Sequence, residues 1–257
     1  MQNTLKVVGV QSELIWESPS ENRNRFEKAI NGIDADLVVL PEMFSTGFTM
    51  KPKNIAEKMN GETISWMKET AMSNHFAIIG SLVIEENGFY YNRLVFMHPD
   101  GKIETYDKKH LFTLAGEDLS YKAGIKKLIV TYKGWKICPF VCYDLRFPVW
   151  ARNVESYDVL VYVANWPSPR IHAWNTLLQA RAIENMSYCI GVNRVGEDIN
   201  GYEYSGHSGA FNFLGEEMYK TSPNDHEVFV VTLEKGDLEK VREKLNFLND
   251  KGSFTIH

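Results

Sequence analysis

The chain has 257 residues, 44% of them hydrophobic, with 28 Lys+Arg against 33 Asp+Glu for a formal charge of −5. That length buries a substantial core without staples, so a disulfide-held miniature is excluded, and the mixed charge argues against nonspecific binding to nucleic acid or anionic membrane. The three cysteines at 138, 142 and 189 are too few and too odd in number for a disulfide framework, and they point to a reducing compartment.

The elements run as follows. The N-terminus enters a β-type run at 5–11 without a basic start or cleavage site, and no apolar stretch approaches the roughly 18 residues of a membrane span, so a soluble cytoplasmic protein is expected. Ser18, Pro19 and Glu21 supply a cap, an N1 proline and a capping-box carboxylate for a helix reaching about Gly32. A strand at 36–40 follows, then a helix over 61–74 and strands at 76–84 and 90–97. Asn87-Gly88 joins the last two and Asp100-Gly101 follows, which predicts a β-meander. Strands at 127–132, 135–141 and 158–164 precede a helix over 172–186, with Trp174, Leu177, Leu178, Ala182 and Met186 on one face. Strands at 188–195, 209–213 and 228–233 and a charged helix from about 235 to 246 complete the chain. No linker or repeat divides it, so residues 1–257 read as one α/β domain, a core of about 5–233 followed by a helix and tail over 234–257. About ten strands suit two packed sheets with helices outside better than one open sheet.

Three stretches differ from ordinary core. The strand 36–40 ends in Pro41-Glu42, and a carboxylate there either lies in a half-buried cleft as a general base or is a solvated loop residue. In Tyr106-Asp107-Lys108-Lys109-His110-Leu111-Phe112, a dry lysine would serve an oxyanion and a thiolate, the alternative being a basic surface cluster. The third stretch, 135–148, places Cys142 where a strand passes into a polar turn containing Asp144 and Arg146. That position exposes the sulfur, aims backbone N–H groups beside it and is expected to lower its pKa. Cys138 and Cys189, inside apolar runs, read as small core residues. A histidine base of the papain kind would have to be His110 or His207.

Together the motifs Leu-Pro-Glu-Met-Phe, Tyr-Asp-Lys-Lys-His-Leu-Phe and Val-Cys-Tyr-Asp-Leu-Arg-Phe-Pro, in this order and spacing, resemble the nitrilase superfamily of carbon–nitrogen hydrolases. Within it the chain looks most like the omega-amidase branch, which hydrolyses the terminal amides of 2-oxo acids. Val163-Ala164-Asn165-Trp166-Pro167, Ala180-Arg181-Ala182-Ile183-Glu184-Asn185 and Gly191-Val192-Asn193-Arg194-Val195-Gly196 extend the resemblance. Asn212-Phe213 departs from it, standing where relatives often read Asn-Pro or Asp-Pro.

The resemblance implies a four-layer αββα sandwich, a homodimer or higher assembly, and a Glu-Lys-Cys triad of Glu42 as base, Lys108 and the nucleophile Cys142. Lys108 is preferred to Lys109 because the family places its lysine two residues before the histidine. Glu117 matches a second glutamate of many members. On this reading Glu42 takes the thiol proton, Lys108 and the backbone N–H of Tyr143 hold the oxyanion, and ammonia leaves behind a thioester that water hydrolyses. Arg170 is the candidate for the substrate carboxylate, Phe44, Tyr143 and Trp166 are expected to wall the pocket, and Arg146 is expected to be an ion-pair partner of Asp144 that fixes the turn. Nitrile or N-carbamoyl amide hydrolysis would use the same three residues. A metal-dependent phosphodiesterase of similar layering and a noncatalytic binding module are remoter alternatives. Nothing resembles a phosphate loop, a dinucleotide fingerprint or spaced metal ligands, so no cofactor, metal or nucleic-acid partner is implied.

Overall fold

The computed structural model describes residues 3–252. Strand β1 (Thr4–Gln11) and helix α1 (Pro19–Ile30) lead to β2 (Leu37–Val39), helix α2 (Glu62–Asn74) and the strands β3 (Ala77–Glu86), β4 (Phe89–Met97) and β5 (Ile103–Asp107). After a short helix α3 (Glu117–Ser120) come β6 (Val130–Tyr132), β7 (Trp135–Val141), the single turn α4 (Pro148–Ala151) and β8 (Val159–Ala164). Helix α5 (Ile171–Asn185) precedes β9 (Tyr188–Asn193), β10 (Val195–Glu197), β11 (Glu203–Ser205), β12 (Gly209–Phe211), β13 (Glu217–Lys220), β14 (Glu227–Glu234) and helix α6 (Lys235–Leu245).

One six-stranded sheet has the order β14-β1-β2-β3-β4-β5 and the other β13-β12-β9-β8-β7-β6, with β10 and β11 forming a separate hairpin. Strands β1, β2 and β3 are parallel, as are β7, β8 and β9, while the outer strands are antiparallel. Both faces of each sheet are covered, which is why the central strands read as continuous apolar runs. Leu5 and Val7 face the core between the sheets, while Val8 and Val10 face Phe26 and Ile30 of α1. In the second sheet Val192 faces β1, while Gly191 lies against Trp174 and Leu178 of α5. The layers are therefore helix, sheet, sheet, helix, the expected αββα sandwich.

The sheets approach so closely at Gly9 that a Cβ there would lie 2.3 Å from the Phe229 ring and 3.0 Å from Val192. Helix α6 is fastened by Leu238, which is buried, and by Arg242, whose guanidinium donates to Asp158 at 3.2 Å and to the Tyr157 carbonyl at 2.6 Å. The expected tail beyond residue 252 lies outside the described residues. Among the described residues, no helix is long and apolar enough to cross a membrane.

The meander is present as β3-β4-β5, with Asn87 and Gly88 both at positive φ (54° and 80°) as a type I′ turn requires. The structure differs from the sequence reading in three places. The described residues hold fourteen strands, because the run 188–195 breaks into β9 and β10 and because β5, β11 and β13 are short or polar. The Ser18 side chain makes no capping bond to the backbone; its hydroxyl meets the Glu21 carboxylate at 3.0 Å instead. The turn at Asn212-Phe213 closes without a proline, because the Asn212 side chain accepts from the backbone N–H groups of Leu214 and Glu216.

The parallel strands β2, β7 and β8 end on the same side of the sandwich, and the segments leaving their carboxyl ends carry Glu42, Cys142 and Asn165. Lys108 follows β5 directly. Chemistry-bearing residues distant in sequence are thus collected at the strand ends, where α/β sheets present their sites.

Candidate active site

Strand β7 passes directly into a 3₁₀ turn, Cys142–Arg146, whose first residue adopts a left-handed conformation with φ 43°. For a residue with a Cβ this costs about 1–2 kcal/mol and needs support from its surroundings. Asp144 supplies it. Its buried carboxylate accepts from the Val141 N–H at 3.1 Å, the Tyr106 hydroxyl at 2.7 Å and the His110 N–H at 3.0 Å, with His110 Nδ1 at 2.8 Å. As the second residue of a helical turn, Tyr143 has a backbone N–H with no acceptor inside that turn, the kind of donor an oxyanion uses.

Glu42, fully buried, is held on both oxygens. Its Oε1 accepts from Lys108 Nζ and from Asn92 Nδ2, each at 2.8 Å, and its Oε2 accepts from the Asn165 backbone N–H at 2.8 Å. The Asn165 side chain donates to the Glu42 carbonyl at 2.6 Å. Glu117, also fully buried, receives Lys108 Nζ at 2.9 and 3.1 Å, Asn92 Nδ2 at 3.0 Å and the Phe112 N–H at 2.6 Å. The Lys108 ammonium thus stands between two carboxylates. One of its three N–H groups goes to Glu42 and one is shared by the two Glu117 oxygens. The third remains for the cavity, into which the lysine opens beside the Phe48 ring.

Electrostatics follow from burial and these partners. Burial opposes charge on Lys108, but Glu117, Glu42 and Cys142 outweigh it and hold the ammonium well above the ordinary lysine range. Burial raises the Glu117 carboxyl, against the pull of Lys108. Burial also pushes the Cys142 thiol well up, and the Glu42 carboxylate adds to this more than Lys108 relieves it. The sequence reading, which expected the strand-end turn to lower this pKa, is corrected here. A 3₁₀ turn this short contributes little dipole, and two nearby carboxylates disfavour a thiolate. Burial and Glu42 thus favour the protonated thiol, so an attack by this sulfur would need a base for its proton, and Glu42 is the carboxylate facing it.

Cys142 and Lys108 open into a cavity of about 640 Å³ whose walls include Phe48, Phe112, Tyr143, Trp166, Arg146 and Arg170. Tyr143 and Trp166 are therefore at the wall, as expected. Phe44 is not: it is fully buried in the layer between the first sheet and its helices, with ring centroids 5.5 Å from Phe26 and 5.9 Å from Trp66. Met43, at φ 43°, turns the chain between Glu42 and Phe44 and sends the two side chains to different places. Phe48 takes the wall position expected of Phe44.

Arg146 also differs from expectation. The Asp144 oxygens are occupied by Tyr106, His110 and Val141, and Arg146 instead lies over the Trp166 ring, 4.9 Å from its centroid, on the cavity wall. Arg170 sits 5.2 Å from the Phe112 centroid, and its carbonyl accepts the Trp166 indole N–H at 2.8 Å. Among the described residues neither arginine has a carboxylate partner.

The remaining predicted residues separate cleanly. Lys109 points to the Trp150 ring at 5.5 Å, so Lys108 is the lysine of the site. His110 stacks on Phe147 at 3.7 Å and His207 meets Asn175, and neither lines the cavity. Cys138 and Cys189 are fully buried in the core. Two roles were missed. Asn92, the first buried residue of β4, and Asn165, just after β8 in a motif quoted for the resemblance, both hold Glu42, and the signal that could have found them is an amide placed among buried apolar residues, where it must find partners.

Residues 6–243 match the carbon–nitrogen hydrolase family. The chain belongs to that family. The carbon–nitrogen hydrolase is 41% identical to an omega-amidase, YafV, of Yersinia enterocolitica over 99% of each chain. It is 34% identical to a 2-oxoglutaramate amidase of Bacillus subtilis over 77% of this chain and 79% of the relative. Its fold superposes with a TM-score of 0.97 and 39% identity, over the whole of both chains, on a CN-hydrolase superfamily protein of Xanthomonas campestris that carries an arsenic adduct in its active site. Family membership sets aside the phosphodiesterase reading.

Proposed function

We propose that this amidase-type carbon–nitrogen hydrolase removes ammonia from the omega-amide of a small 2-oxo dicarboxylic acid through a thioester on Cys142. The observation that carries this reading is a pair of arginines, Arg170 and Arg146, without acid partners among the described residues, on the wall of the cavity into which the thiol opens. A linear substrate with its amide at Cys142 and its carboxylate among these guanidinium groups spans such a cavity. Relatives that act as an omega-amidase and a 2-oxoglutaramate amidase, alike over most of the chain, support the same substrate class.

The mechanism uses the groups in place. Glu42 accepts the thiol proton as sulfur attacks the amide carbon, which suits a nucleophile held protonated at rest. The oxyanion is met by the third Lys108 N–H and the Tyr143 backbone N–H. The C–N bond breaks as Glu42 returns the proton to nitrogen, and ammonia departs. Water, deprotonated by the same carboxylate, attacks the thioester, and the acid leaves as the thiol is restored. Glu117 shares the ammonium and keeps Lys108 charged. Asp144 holds the turn that carries the nucleophile.

Family membership and the three free thiols also support work as a homodimer or higher homo-oligomer in the reducing cytoplasm. The test of substrate is ammonia release across 2-oxoglutaramate, 2-oxosuccinamate, glutamine, a nitrile and an N-carbamoyl amino acid. One of the two 2-oxo amides should have the highest kcat/KM, and a preference for the nitrile or the N-carbamoyl compound would reject the assignment.

A further inference from the structure

The mechanism requires two buried carboxylates side by side, one of which must stay ionised to act as a base. Among the described residues Lys108 is the cation shared between them. The groups facing Glu42 are Lys108 after β5, Glu117 at the start of α3, the Cys142 thiol after β7 and, farther off, the Tyr121 phenol, which burial holds protonated.

Asn92, on β4, is 1% exposed and lies between the carboxylates. Its Nδ2 donates to Glu42 Oε1 at 2.8 Å and to Glu117 Oε1 at 3.0 Å, the oxygens that also receive Lys108. Reversing the amide would set its carbonyl against two carboxylate oxygens, so the network dictates which end is nitrogen. The other end is idle: Oδ1 is buried without a hydrogen-bond partner among the described residues. An unpaired buried acceptor is costly, so an amide serving the fold alone would have both ends engaged. Here both hydrogens are given to the catalytic carboxylates and the carbonyl is left over.

We propose that Asn92 is a positioning residue that fixes the Glu42 carboxylate beside Glu117 and in register with the Cys142 thiol. It does so as a neutral donor, adding no charge and leaving the third N–H of Lys108 free for the oxyanion. Removing this donor frees the carboxylate to turn away from the thiol, so proton transfer from Cys142 slows. The proposal rests on Glu42 as the base, and the test separates the two.

The experiment is the pH dependence of Cys142 alkylation by iodoacetamide, followed by intact mass, in the wild type, Asn92→Leu, Asn92→Asp and Glu42→Gln. Cys138 and Cys189 are fully buried, so the first adduct reports Cys142. The wild type should show an acid limb that disappears in Glu42→Gln. In Asn92→Leu alkylation on the limb should be about tenfold slower. Asn92→Asp, equal in shape, should depend on pH instead. Protonated it still donates one bond and reacts nearly as the wild type at low pH, then slows as the third carboxylate ionises. Alkylation of Asn92→Leu at the wild-type rate, with no alkaline fall in Asn92→Asp, overturns the proposal even if both variants are less stable. A limb that survives in Glu42→Gln overturns the base assignment and the proposal with it.

Discussion

Replacing Lys108 by methionine keeps most of the side-chain volume and removes the ammonium that joins Glu42 and Glu117 at 2.8, 2.9 and 3.1 Å. Two effects of different kind follow. Both carboxylates are fully buried, so the variant leaves them without a countercharge, and breaking a buried pair in this way costs about 3–5 kcal/mol. For a chain of this size each kcal/mol shifts the melting temperature by about 2–4 °C, so Tm should fall by about 10 °C at neutral pH. Protonating a carboxylate relieves the repulsion, so the deficit should narrow as pH falls toward the carboxylate range. Separately, the oxyanion loses a donor worth about 3–4 kcal/mol, which lowers kcat by about a hundredfold to a thousandfold. Ammonia release at a temperature where the variant is fully folded isolates the second effect, and thermal unfolding between pH 5 and 8 isolates the first. A folded Lys108→Met protein with kcat within threefold of the wild type would refute the oxyanion role, and a Tm deficit independent of pH would refute the charge argument.

Arg170→Ala should raise KM for 2-oxoglutaramate by about tenfold to a hundredfold with a smaller effect on kcat, because a charge-assisted hydrogen bond to the far carboxylate is lost. Arg146→Ala should do the same to a similar or smaller degree, and steady-state kinetics on a neutral amide lacking the carboxylate should show neither effect. Phe44→Ala should destabilise the fold by about 3–5 kcal/mol in chemical denaturation while leaving KM nearly unchanged, since the ring packs between Phe26 and Trp66 and is absent from the cavity. Gly80→Ala should also destabilise, because its Cβ would stand 2.7 Å from the Phe44 ring.

Glu42 and Cys142 were legible in the sequence because each sits in a short motif at the end of an apolar strand, whereas Lys108 follows the short, polar β5 and was legible only through its motif. What escaped depended on backbone direction. In an extended chain Glu42 and Phe44 would share a side, but the left-handed Met43 between them separates them. Asp144 and Arg146 are two apart on a 3₁₀ turn, whose three residues per turn point them apart, so the expected ion pair does not form. Asn92 lay in no motif, and Asn165 lay in one that gave it no role. Their roles exist only once β4 and the segment after β8 are set against Glu42, 50 and 123 residues away.

The central claim is that Cys142 is the nucleophile of an amide hydrolysis. Ammonia release from 2-oxoglutaramate by the wild type and by Cys142→Ala, with the variant's folding checked by thermal unfolding, tests it most directly. The wild type should turn over and the folded variant should not, and amidase activity retained in Cys142→Ala would refute the assignment.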